Sequence, residues 1–301
     1  MTETETRTQG KARSTAHVYD TIKALEGAGF PVRRPFPTQT LDHFDPFLLL
    51  DEFGPVDWAP GEAVGAPDHP HRGFETVSYI LEGRLQHKDS VGNWGRLGPG
   101  DVQWMTAGAG VVHSEMPEDE LVRSGGRMHG FQLWVNLPQR DKMIRPRYQD
   151  IQSSEIPAAR TADGSVAVKV IAGEALGSRA VIDTRTPIVY LHFTLQPGAS
   201  ITQPVPAEFN AFAYVFGGSG RFGEEPDVRR TGQMVAFAGD GDAVAISADP
   251  ASTEALEVLL IAGEPLREPV ARYGPFVMNT FDEIRQAFAD YRDGRLGAID
   301  F

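Results

Sequence analysis

Apolar residues in this chain fall in short runs rather than long stripes. Phe47–Leu50, Val77–Leu81, Phe131–Leu137, Ile188–Leu195, Ala211–Phe216 and Leu256–Ile261 are each too short for an ordinary helix, and 32 glycines and 22 prolines punctuate the sequence around them. Runs of this length between turn residues predict an all-β protein, a sandwich or a barrel. Two segments break the pattern. Near the end, Thr280 and Glu283 form a capping-box pair, and Phe281, Ile284, Phe288 and Tyr291 recur at helical spacing before Gly294, which predicts one amphipathic helix packed against a sheet. A second helix is expected over Ser14–Ala28, where Val18, Ile22 and Leu25 would form an apolar stripe and Gly27 and Gly29 a stop.

A charged, apolar-poor stretch from Pro138 to Pro157 separates two strand-rich halves. The expected organisation is a disordered tail over residues 1–16, an N-terminal domain over 17–140 and a C-terminal domain over 141–301. The halves read as divergent copies. Tyr79-Ile80-Leu81-Glu82-Gly83 echoes Tyr214-Val215-Phe216-Gly217-Gly218 at an offset of 135, and Gly100 echoes Gly232 at an offset of 132.

Two short clusters carry the candidate chemistry: His69-Pro70-His71 and His113-Ser114-Glu115. On strands, alternation puts His69 and His71 on one face, and likewise His113 and Glu115. Three imidazoles and a carboxylate converging on one ion suit a first-row transition metal, whereas calcium and magnesium take oxygen alone. Four protein ligands leave an octahedral ion two open positions for substrate, dioxygen or water. Pro70 lacks a ladder donor, so its strand should be an edge strand or begin at that point. Glu75, four residues after His71, would share the ligand face of a continuous strand. A salt bridge is the commoner fate of such a glutamate, and it is expected as a neighbour of the ligands. His129 is a second such neighbour, and Phe47, Phe53, Trp104 and Met105 are candidate walls of a dry pocket. His17, His43, His87 and His192 stand alone and are expected to be structural or exposed. Carried forward by the two offsets, the ligand positions fall on Pro204, Pro206, Ala245 and Ser247, so the second copy should hold no metal.

The charge balance, 28 basic against 41 acidic residues for a net of -13, repels phosphate backbones and anionic membranes and argues against direct nucleic-acid binding. There is no cysteine, hence no disulfide, thiolate nucleophile or sulfur-bound metal. No apolar run has membrane length, and Met1–Ala16 lacks the apolar core of a secretory signal. A cytoplasmic protein is expected. No glycine loop with a following lysine marks a phosphate site, and Gly217-Gly218-Ser219-Gly220 reads as a turn.

In these residues the sequence resembles the pirin family of the cupin superfamily. The likeness is carried by Gly29-Phe30-Pro31-Val32-Arg33-Arg34-Pro35-Phe36, Asp45-Pro46-Phe47-Leu48-Leu49-Leu50-Asp51-Glu52-Phe53, His69-Pro70-His71-Arg72-Gly73-Phe74-Glu75-Thr76-Val77, Pro99-Gly100-Asp101-Val102-Gln103-Trp104-Met105-Thr106-Ala107-Gly108 and His113-Ser114-Glu115-Met116-Pro117. Ala262-Gly263-Glu264-Pro265-Leu266 and Gly274-Pro275-Phe276-Val277-Met278-Asn279-Thr280 extend it, so that it spans about residue 18 to residue 294.

The resemblance implies two tandem cupin barrels, that is, double-stranded β-helix or jelly-roll barrels, with a few short helices. It implies one iron ion, Fe2+ or Fe3+, in the N-terminal barrel at His69, His71, His113 and Glu115, and a C-terminal barrel without a site. Cupins in general place a glutamate ligand where Glu75 stands, whereas the pirin pattern carries the carboxylate at Glu115. Members of the family resemble quercetin 2,3-dioxygenases, and others are described as transcriptional co-regulators. The leading expectation is therefore an iron dioxygenase acting with O2 on a flavonol or related enol, with Glu115 accepting the substrate hydroxyl proton. The alternative is a non-enzymatic, redox-sensing regulator that works through protein partners, and a third is a metal-dependent isomerase or lyase.

Overall fold

In the computed structural model, residues 10–301 are described, and they form two compact β units. The first comprises residues 21–157, 180–187 and 264–301; the second comprises the described residues up to Asp20 together with 158–179 and 188–263. The contiguous division after residue 140 is therefore replaced by interleaved segments. The tail expected over 1–16 falls partly outside the described residues, and its later part is ordered. Arg13 is buried in the second unit, where its guanidinium donates to Gly241 O, Phe209 O and Pro206 O.

The helix expected over Ser14–Ala28 is two strands, Thr15–Asp20 and Ile22–Glu26. Thr15–Asp20 pairs antiparallel with Gln233–Phe237, and Ile22–Glu26 with Phe30–Phe36. A distant edge pairing for the first strand and a local hairpin for the second satisfy the backbone of a segment whose helical stripe was only three residues wide, which is how sheet context overrides weak local preference.

In the first unit a seven-stranded sheet runs in the order Arg147–Ile151, Val102–Thr106, Phe74–Glu82, Gly126–Asn136, Phe47–Trp58, Phe30–Phe36, Ile22–Glu26. A four-stranded sheet runs Ala66–His71, Val111–Pro117, Leu85–Asp89, Trp94–Leu97. The second unit repeats this plan. Its seven strands are Thr15–Asp20, Gln233–Phe237, Asn210–Gly217, Leu256–Gly263, Ile188–Leu195, Val166–Ala172 and Ala158–Arg160, and its four are Ser200–Pro204, Ala243–Ala248, Ser219–Phe222 and Arg229–Arg230. Each apolar run named from the sequence lies in one of these strands apart from the residue that closes Phe131–Leu137, and their buried side chains form the cores.

The duplication extends to single hydrogen bonds. Gly100 donates to Ile80 O at 2.7 Å and Gly232 to Val215 O at 2.8 Å, both glycines at positive φ. Tyr79 faces Val102 as Tyr214 faces Met234. Register corrects one projection. His69 lies opposite His113 and His71 opposite Val111, while Thr202 lies opposite Ala245 and Pro204 opposite Ala243. The ligand equivalents on that strand are thus Thr202 and Pro204 rather than Pro204 and Pro206, because the offset also changes between this strand and Tyr79. Neither pair offers an imidazole or a carboxylate.

The helix Phe281–Arg292 belongs to the first unit and opens with the expected reciprocal cap between Thr280 and Glu283. Its buried positions are Ile284, Ala287 and Asp290, while Phe281 is exposed, so the buried face is rotated from the stripe read in the sequence.

Candidate metal centre

His69 and His71 stand on the strand Ala66–His71, which is an edge of its sheet, so Pro70 costs no ladder bond. The neighbouring strand Val111–Pro117 brings His113 directly opposite His69. Pleat alternation then does what the i, i+2 spacing implied: the ligand nitrogens of His69, His71 and His113 lie within 4.8 Å of one another, with ring centroids 4.4 to 5.0 Å apart. Just after His71, Gly73 takes φ +89°, and a Cβ there would meet Val277 O at 1.9 Å; only glycine passes.

The donor chemistry fits a transition ion. His69 Nδ1 faces Pro67 O at 2.7 Å and His71 Nδ1 faces Pro275 O at 3.3 Å, so each Nδ1 carries the proton. That leaves two bare Nε2 atoms 3.1 Å apart. Lone pairs at that spacing repel unless a cation is shared between them. Burial pushes the titration of both His71 and His113 well below the ordinary imidazole range, with neighbouring imidazoles adding to it, which keeps them in the neutral form that binds metals. His113 is fully buried, and neither of its ring nitrogens has a protein partner. A buried polar group without a partner is costly, and a metal ion is the partner that this set of three imidazoles suits.

Glu115 stands outside the histidine triplet but lines the same cavity. Ser78 Oγ donates to its Oε1 at 2.7 Å, and Gln132 Nε2 approaches Oε2 at 3.4 Å. Ser78 Oγ also lies 2.9 Å from Gln132 Oε1, a second acceptor for its one proton, so the three side chains form one cluster. Neither Ser78 nor Gln132 was singled out from the sequence, yet a hydroxyl inside the apolar run Val77–Leu81 is a readable signal.

The cavity has a volume of about 550 Å3, within the range of small-molecule sites. His69, His71 and Glu115 line it together with Phe53, Trp58, Met128 and Trp134. The Trp134 ring meets His71 edge-on at 5.1 Å. Its polar wall is Asp51, which Arg34 grips with bonds of 2.7 and 2.6 Å while also pairing with Glu26. Burial pushes the Asp51 carboxyl up to about 6, against the opposing pull of Arg34.

The other anticipated neighbours lie elsewhere. Glu75 begins a new strand after the Gly73 turn, so the continuous alternation assumed for it does not hold. It lies off the cavity wall, takes a 2.6 Å bond from Thr106 Oγ1, and burial raises its pKa. His129 pairs with Glu52 at 2.8 Å, again off the cavity wall. Phe47, Trp104 and Met105 are core; among the four expected walls, Phe53 alone lines the cavity. His87, expected to be structural or exposed, is buried opposite Glu115 and stacks on Tyr148 at 5.2 Å.

Two segments match known families: residues 29–135 match the family described as Pirin, and residues 190–297 match the Pirin C-terminal cupin domain. Human Pirin is 46% identical over 275 residues, 90% of each chain, and a tomato Pirin-like protein is 46% identical over 272 residues, 90% of this chain and 89% of its own. A solved structure described as quercetin 2,3-dioxygenase from Acinetobacter baumannii superposes with a TM-score of 0.89 at 35% identity, covering 96% of this chain and all of that one. The fold is accordingly a tandem cupin, with its histidine cluster in the first unit. On this evidence the chain belongs to the pirin family.

Proposed function

We propose that this protein binds one iron ion through His69, His71, His113 and Glu115 and acts as a dioxygenase on a flavonol or related enol. The observation that carries the reading is the cluster of three imidazoles facing one another, two of them held neutral by burial, beside an aromatic-walled cavity. When bound, the metal would supply a Lewis acid and a meeting place for substrate oxygen and O2. Pro67 and Pro275 carbonyls fix the tautomers of His69 and His71, so both point Nε2 inward. Glu115, oriented by Ser78 and Gln132, stands ready to accept the substrate hydroxyl proton. Phe53, Met128 and Trp134 exclude water around the enol.

The test is anaerobic loading with iron(II), followed by oxygen-uptake and carbon monoxide measurements with quercetin. Turnover is expected, with loss of at least about 100-fold in His113→Ala on the usual scale for removing a group essential to transition-state stabilisation. Metal binding without turnover on flavonols, enols and catechols would defeat the dioxygenase reading. It would leave the metal-dependent regulator, for which the net charge of -13 favours a protein partner over nucleic acid.

A further inference from the structure

One cation in the cavity has no assigned task. Arg272 lies on the short hairpin strand Ala271–Tyr273, opposite Val277, and lines the same cavity as the histidines. Its guanidinium stacks over the Trp134 ring at 4.9 Å, and Nη1 donates to Leu48 O at 3.0 Å. Arginine offers five donors, and among the described residues Leu48 O is the one protein acceptor on that side chain; no carboxylate there pairs with it. Arg34, on the same wall, is by contrast saturated by Asp51 and Glu26. Of the other acids whose field reaches Arg272, Asp42 is hydrogen-bonded to His43. A guanidinium drawn out of water without a counter-ion is expensive, and a planar anion with two oxygens is its natural complement.

Position gives the anion its chemistry. Trp134 touches both Arg272 and His71, so the guanidinium and the metal-facing imidazole flank one aromatic ring. Both side chains line the one cavity. Building on the dioxygenase reading, we propose that the substrate is an aromatic or enolic acid whose carboxylate is bound by Arg272 while its hydroxyl end meets His69, His71 and His113. Neutral flavonols would then be surrogates that lack half of the recognition. Arg272 is a specificity residue in this scheme, remote from the reacting atoms.

The experiment compares catechol with 3,4-dihydroxybenzoate by anaerobic titration calorimetry on zinc-loaded and metal-free protein. Charge-assisted hydrogen bonds to a partly buried guanidinium predict a preference for the acid of about 10-fold or more. The preference should persist without metal, which separates Arg272 from carboxylate ligation of the ion. It should vanish in Arg272→Met, which keeps the apolar contact with Trp134, and be reduced without being abolished in Arg272→Lys. Circular dichroism and melting establish that each variant is folded, and Arg272→Lys serves as the reporter if Arg272→Met does not fold. An equal preference in the wild type and the variants, a preference confined to the zinc form, or failure of the acid to bind overturns the proposal. Oxygen uptake with quercetin, run in parallel, keeps the two readings apart. Uptake without an Arg272-dependent preference removes the anchor alone, and the preference without uptake removes the dioxygenase alone.

Discussion

Replacing Asp290 by alanine tests how the metal-site strand is tied to the rest of its unit. Arg72 follows His71 in sequence and is buried; its Nε donates to Ala109 O at 2.7 Å and its Nη1 to Asp290 Oδ2 at 2.8 Å. Asp290 Oδ1 also accepts from Gln286 and Arg295, each at 2.8 Å, so its carboxylate is fully engaged. Asp290→Ala leaves the Arg72 guanidinium in a buried place without its counter-ion, a change that costs about 3–5 kcal/mol. At about 2–4 °C per kcal/mol for a unit of this size, melting should fall by roughly 6–20 °C. Because Arg72 adjoins His71, metal affinity should fall with it. Calorimetric melting of the wild type, Asp290→Ala, Arg72→Met and the double variant Arg72→Met/Asp290→Leu measures the pair. The double variant should recover much of the loss, since apolar replacement of a buried pair is often close to neutral. A single-variant cost under about 1 kcal/mol, the value of an exposed pair, would refute the argument.

Further outcomes follow from other contacts. Asp51 titrates near 6 in the folded chain against 3.8 for a free side chain, so folding binds a proton between those values and its contribution to stability, full below pH 4, is lost as pH rises through 6. That contribution is about 3 kcal/mol, and Asp51→Asn should change the slope of unfolding free energy against pH within that window; an unchanged slope would count against it. Lys142 Nζ donates to Gly73 O, Asn136 Oδ1 and Val277 O, and Lys142→Met should cost about 3–5 kcal/mol by stranding three buried acceptors, read from urea unfolding. Thr280→Ala removes the helix cap and should cost about 1 kcal/mol with faster amide exchange in the first turn of Phe281–Arg292; unaltered exchange would show the cap to be idle. Chelation should lower the melting temperature of metal-loaded protein, added iron or nickel should raise it, and His113→Ala should abolish both responses.

The strand content was legible because apolar runs ended at glycine and proline, and because period-two alternation survives in any one sequence. The histidine cluster was legible for the same reason, since His69, His71 and His113 needed only strands to converge. The continuous strand assumed from His71 to Glu75 was not legible as two, because one glycine, Gly73, divides it. Thr15–Asp20 was misread because its partner, Gln233–Phe237, lies some two hundred residues away and no local pattern announces an edge pairing. Arg272 was invisible for a related reason: its significance comes from Trp134 and Leu48, which only the folded first unit brings to it.

The interleaving of segments sets the order in which the site can be completed. Pro275 O fixes the tautomer of His71, and Asp290 anchors Arg72 beside it, yet both come from the segment 264–301. A ribosome that has released all three histidines has therefore not yet released the carbonyl that orients His71 or the carboxylate that anchors its neighbour Arg72. Orientation of His71 must wait until both cupin copies have been synthesised, so a chain broken off before residue 264 would carry all three imidazoles yet lack the carbonyl that sets one of them.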